Sequence, residues 1–196
     1  MSGDVLIREA TVADAPAIAV LHAAEIREGF LPTLGTRFLT RLYRRIVRSQ
    51  SSFAFVADRG DGAVGFAAGT ESLRALYRSF MLRDGLVTVV VCGPRLARSW
   101  RRVSETLRYP THEAVDLPPA ELIAIAVGRD ARGLGLGHLL VDAITAEFSR
   151  RGVGAARVVA GADNEPALRL YRACGFRSAA TLQVHKGTAS EVMTWS

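Results

Sequence analysis

The chain has 196 residues, of which 49% are hydrophobic and 22% charged, with a formal net charge of +6. That is enough for one domain with a proper core, short for two, and too apolar for a disordered chain. The positive charge suits a polyanionic cofactor or nucleic acid, but no stacking-aromatic pattern accompanies it, so arginines on solvated faces are the favoured reading and nucleic acid is disfavoured. Cys92 and Cys174 are too few and too far apart for a disulfide framework, and no Cys-x-x-Cys occurs, so a reducing cytoplasm is expected. Met1 to Asp4 carries no signal sequence, and the most apolar run, Gly85 to Cys92, falls well short of the ~20 residues of a membrane span, so a soluble chain with no membrane partner is expected.

In chain order, Val5 to Glu9 alternates and reads as a first strand. Thr11-Val12-Ala13-Asp14 resembles a capping box with Asp at its last position. The helix that follows has Ile18, Leu21, His22 and Ile26 on its inner face, and Gly29-Phe30-Leu31-Pro32 breaks it. A second helix runs from about Thr36 to Arg48, with Phe38, Leu39, Leu42, Tyr43, Ile46 and Val47 at helical spacing. Phe53–Ala57 and Val64–Gly69 form a hairpin about Asp58-Arg59-Gly60-Asp61-Gly62.

Residues 72–119 then carry helical patterning at Leu73 to Leu82 and Pro94 to Leu107, with Arg74, Arg78, Arg83, Arg95, Arg98, Arg101, Arg102 and Arg108. This basic segment can be a wall for an acidic or phosphorylated acceptor, or a packing or homodimerisation appendage; the sequence leaves both open. Leu117-Pro118-Pro119 leads into the apolar run Leu122 to Val127, a buried strand. Leu136, Leu140, Ile144 and Phe148 then recur every four residues and give a helix one apolar stripe. Arg157 to Gly161 reads as the next strand. Ser178–His185 and Ser190–Trp195 read as a final hairpin turned at Lys186-Gly187.

Between the buried strand and its helix lies Arg132-Gly133-Leu134-Gly135-Leu136-Gly137-His138. A strand, a glycine turn and a helix leave backbone N–H groups unpaired at the positive end of the helix dipole, which suits a phosphate, and a bare backbone lets a pyrophosphate approach. A P-loop is rejected because His138 and Leu139 stand where Lys and Ser/Thr are needed. A dinucleotide fingerprint fails because His138 occupies its third glycine position. The pattern Arg/Gln-x-x-Gly-x-Gly/Ala is satisfied by Arg132, Gly135 and Gly137. A turn without a ligand is the competing reading of the loop taken alone.

A second motif is Asn164-Glu165-Pro166-Ala167-Leu168-Arg169-Leu170-Tyr171-Arg172-Ala173-Cys174-Gly175-Phe176. Asn164 can cap a helix, Pro166 fits its first turn and Gly175 can end it. With this motif one strand beyond the glycine loop, the chain resembles the GCN5-related N-acetyltransferases (GNAT). Their motif Asn-x-x-Ala-x-x-Leu-Tyr-x-x-x-Gly-Phe is matched at every position. The resemblance covers the last third of the chain well and the rest loosely, and the long 72–119 segment departs from the family's short connection.

The resemblance implies one α/β (α+β) domain over 1–196. Its central sheet would be mixed and mostly antiparallel, of about seven strands, with a V-shaped splay between strands 4 and 5. Helices would flank the sheet, and a helical insertion would separate strands 3 and 4. It implies acetyl-CoA as cosubstrate, no metal, and direct transfer of the acetyl group in a ternary complex to the amine of an unidentified acceptor, a small molecule or a protein. Pantetheine would follow the edge of strand 4 at Ile125, Ala126 and Val127. The pyrophosphate would lie on Arg132, Gly133, Leu134, Gly135, Leu136, Gly137 and His138, with Asn164 and Tyr171 completing the cofactor site. Tyr171 would protonate the leaving thiolate, since a phenol stays protonated at neutral pH. Glu121, at the start of the central strand, is the first candidate base, with Glu25, Glu28 and His112 behind it. Packing for Tyr171 and a strand-end carboxylate for Glu121 are the alternatives. A non-catalytic acyl-CoA sensor or interaction module is the alternative for the whole chain.

Overall fold

A computed structural model describes residues 4–26, 31–84, 117–185 and 188–196. The expected helix at Pro94 to Leu107, its arginines, Cys92, Glu28, His112 and the Lys186-Gly187 turn lie outside them. The strands are β1 (Leu6–Glu9), β2 (Ser52–Asp58), β3 (Ala63–Thr70), β4 (Ala120–Val127), β5 (Ala156–Gly161), β6 (Arg177–His185) and β7 (Thr188–Trp195). The helices are α1 (Ala15–Glu25), α2 (Thr36–Arg48), α3 (73–84), α4 (Leu136–Arg150) and α5 (Glu165–Ala173). No helix among the described residues is long and apolar enough to cross a membrane.

The strands form one sheet in the order β1-β2-β3-β4-β5-β7-β6. β4 and β5, joined through α4, run parallel, and the other neighbours are antiparallel. The mixed, mostly antiparallel seven-stranded sheet is the one expected. The insertion of β7 between β5 and β6 was not legible from the hairpin pattern.

Each face of the sheet carries its own core. Ile18, Leu39, Leu42, Ile46, Leu76 and Phe80 of α1–α3 cover one face, against Val56, Phe66, Ala124 and Ala126. Leu136, Leu140, Ile144, Phe148, Leu168 and Tyr171 of α4 and α5 cover the other, against Ala67, Leu122, Val158 and Ala160. The four-residue apolar stripe of α4 is therefore the face it buries, each of its four members at 4% exposure or less. Entry to α1 is fixed by the expected capping box: the Thr11 N–H donates to Asp14 Oδ2 at 2.7 Å, and Arg8 holds the same carboxylate at 2.8 and 2.9 Å.

Two irregularities of β4 prepare the site. Ala68 pairs with Ala124 and Gly69 with Leu122, so Ile123 has no partner on β3 and forms a bulge. Leu122 and Ile125 therefore pack on the α4–α5 side, while Ile123 and Ala124 both pack on the other. The second is the length of the β4–β5 ladder, which joins Ala120, Glu121 and Leu122 to Ala156, Arg157 and Val158 and goes no further. From Val159 on, β5 pairs with β7 alone, and Ile123 to Val127 have no β5 partner.

Candidate active site

The edge that β4 presents to this opening can be read from its hydrogen bonding. The Gly128 N–H donates to Val64 O at 2.8 Å, toward β3. Backbone groups alternate sides along a strand, so those of Ala126 also serve β3, and those of Ile125 and Val127 face the side where β5 has departed. Of the three residues expected along the pantetheine, Ile125 and Val127 have an open edge, and Ala126 turns its side chain into the α1–α3 core.

Beyond β4, a 3₁₀ turn over Arg129–Ala131 leads to extended Arg132, then to Gly133 at φ 81° and Gly135 at φ 73°, the N-cap of α4. Both positive φ values favour glycine over any L-residue. A Cβ at either position would meet no atom within 4 Å, so the loop's outer face is open. Gly137 has a different reason: its Cβ would lie 3.3 Å from Leu170 Cδ2, so it lets α5 approach α4.

Among the described residues, the amides of Gly133 to Gly137 have no hydrogen-bond partner in the chain, while those of His138 and Leu139 return to Gly135 O at 3.1 and 3.3 Å. Five consecutive amides at the start of a fifteen-residue helix make an anion nest. Leu134 stands exposed on it. Arg132, expected to add charge, donates from Nε to Val127 O at 3.3 Å and from Nη2 to Glu25 Oε2 at 2.5 Å.

The second motif builds α5 as its residues suggest. Asn164 Oδ1 accepts from the Ala167 N–H at 3.3 Å, and Gly175 at φ 87° closes the C-terminus, where the Phe176 N–H returns to Tyr171 O at 2.9 Å. Asn164 thus caps the helix that carries Tyr171. Tyr171 is buried, its ring 5.7 Å from that of Phe176, in the same core against which Ile125 and Val127 pack. Burial pushes the Cys174 thiol up to about 11, so it stays protonated, in keeping with a route that needs no enzyme nucleophile.

Glu121 lies at the foot of the opening, beside Arg157 in the parallel register, with Oε2 2.8 Å from Arg157 Nε and both side chains largely buried. Burial raises its carboxyl above the ordinary range, and the Arg157 guanidinium partly opposes the rise. Glu25, read from sequence as a lesser candidate base, is instead tied to Arg132. Two features went unseen in the sequence: Arg157 as the partner of Glu121, and the dyad of His22 Nδ1 with Tyr43 Oη at 2.6 Å. The first is set by strand register, the second by how α1 and α2 pack, and neither has a local signature.

The chain belongs to the acetyltransferase (GNAT) family, whose model matches residues 21–176, and it is an acyltransferase. Solved structures share the fold. A GNAT-family protein from Desulfovibrio desulfuricans is 14% identical, with a TM-score of 0.65 over 98% of this chain and 99% of its own. A ribosomal-protein-alanine N-acetyltransferase from Brucella melitensis is 21% identical, with a TM-score of 0.63 over 96% and 98%. The NatC complex bound to Gag peptide and CoA is 12% identical, with a TM-score of 0.62 over 98% of each chain. No curated protein sequence matches the chain.

Proposed function

We propose that residues 1–196 act as one domain, with 72–119 inserted, that transfers the acetyl group of acetyl-CoA directly to an amine of its acceptor within a ternary complex. The observation that carries this reading is the β4–β5 ladder, which ends at Leu122 while β4 runs on to Val127 and into five unpaired amides. An extended amide-bearing arm fits along the open edge, and a diphosphate fits at its mouth. The CoA in the NatC structure supports the same choice of cofactor.

In this scheme the amine nitrogen attacks the thioester carbonyl carbon, whose oxygen an edge N–H of β4 polarises. The C–N bond forms and the C–S bond breaks. Tyr171 gives its proton to the departing thiolate. Glu121 takes the amine proton, directly or through a water, for which a carboxyl raised by burial is better matched than an ordinary one.

The test is thiol release from acetyl-CoA across a panel of amines, amino sugars and peptides, repeated with Tyr171→Phe. Turnover of the variant should fall by about 10²–10⁴-fold, with CoA binding retained. Full turnover by the variant would remove Tyr171 from the mechanism, and no thiol release with any acceptor would favour an acyl-CoA sensor.

A further inference from the structure

Arg132 and Arg129 are the two cations of the cofactor loop, and one carboxylate already faces both. Glu25, the last residue of α1, lies 2.5 Å from Arg132 Nη2 and 3.9 Å from Arg129 Nε. Its side chain is 10% exposed, against 58% and 66% for the two arginines, so the acid is the fixed partner and the guanidiniums are the mobile ones. The same Arg132 side chain covers Val127 O, an acceptor on the open edge of β4. The guanidinium therefore stands between an internal anion, a backbone acceptor of the cofactor groove and the amide nest.

We propose that Glu25 is an internal counter-anion that competes with the cofactor's diphosphate for Arg132 and so limits how tightly CoA is held. The inference rests on the proposed CoA site. A phosphate on the amides of Gly133 to Gly137 would draw Arg132 away from Glu25, and the return of Arg132 to Glu25 would favour release of CoA after transfer. A carboxylate here that served only to hold the loop in shape would act in the opposite direction, because its loss would loosen the site.

Calorimetric titration of CoA separates the two roles, using the wild type, Glu25→Gln, Arg132→Gln and the double variant, each at two salt concentrations. Glu25→Gln keeps the size of the side chain and removes its charge. It should tighten CoA by about three- to fivefold, with a steeper loss of affinity at high salt. The gain should vanish in the Arg132→Gln background. In turnover, Glu25→Gln should lower kcat where CoA release is the slow step. Weaker or unchanged CoA binding by Glu25→Gln, or a gain that survives without Arg132, would overturn the inference. If Glu25→Gln does not stay folded, Glu25→Asp carries the same test, since a carboxylate shortened by one methylene loosens the pair and should tighten CoA by a smaller factor. Absence of CoA binding by the wild type would refute the site itself, a separate outcome.

Discussion

At the scale of single residues, the chemistry depends on where charge is buried. Glu121 and Arg157 sit side by side in the middle of the three joined residue pairs of two parallel strands, and the carboxyl is raised because burial outweighs the cation beside it. Two predictions of opposite kind follow from that balance. Removing the acid as Glu121→Gln should abolish the acid limb of the pH profile of kcat/KM. Removing the cation as Arg157→Gln takes away the influence that lowers the carboxyl, so the acid limb should move to higher pH. An acid limb that ignores both changes would mean that Glu121 is not the base. The glycines of the loop divide in the same way. Gly133 and Gly135 are set by positive φ, and Gly137 by the approach of Leu170, so a pattern that reads as one motif serves two physical needs.

At the scale of elements, periodicity was a good guide wherever one face of an element decides its fate. The stripe of α2 from Phe38 to Ile46 and that of α4 from Leu136 to Phe148 are the buried faces, and the hairpin about 58–62 forms as its turn residues suggest. The bulge at Ile123 was not legible, because an apolar run buried on both faces carries no alternation to interrupt. Nor was the early end of the β4–β5 ladder legible from the residues of β4; the family motif implied it, and strand pairing alone sets it. The same limit applies to His22, which fits the inner face of α1 but is the one buried polar side chain there with a ring nitrogen, Nε2, lacking a partner among the described residues. Burial pushes its pKa down to about 4, so it is neutral when folded and takes up a proton on unfolding below its ordinary value of 6.5. The folded state is therefore favoured fully above 6.5 and loses stability as pH falls toward 4, by about 1.4 kcal/mol per pH unit from this group. Denaturant melts between pH 6 and 5 should approach that slope, and His22→Gln should flatten it. An equal slope in the variant would assign the effect to other groups.

For the whole molecule, two separate cores clamp one sheet whose middle is opened on purpose by chain geometry. α4 and α5 fix the loop and Tyr171 from one face, α1 brings Glu25 to the loop from the other, and the three joined residue pairs at the foot of β4 and β5 keep the opening from spreading. The proposed cofactor site would thus be a by-product of how the two layers share β4, with residues from distant parts of the chain. Site-resolved amide hydrogen exchange with and without CoA tests this account most directly. The N–H groups of Ile125 and Val127 and those of Gly133 to Gly137 should slow together on addition of CoA, with Ala126, already bonded to β3, unchanged. Protection that falls elsewhere, or none at all, would contradict a cofactor held along the open edge of β4.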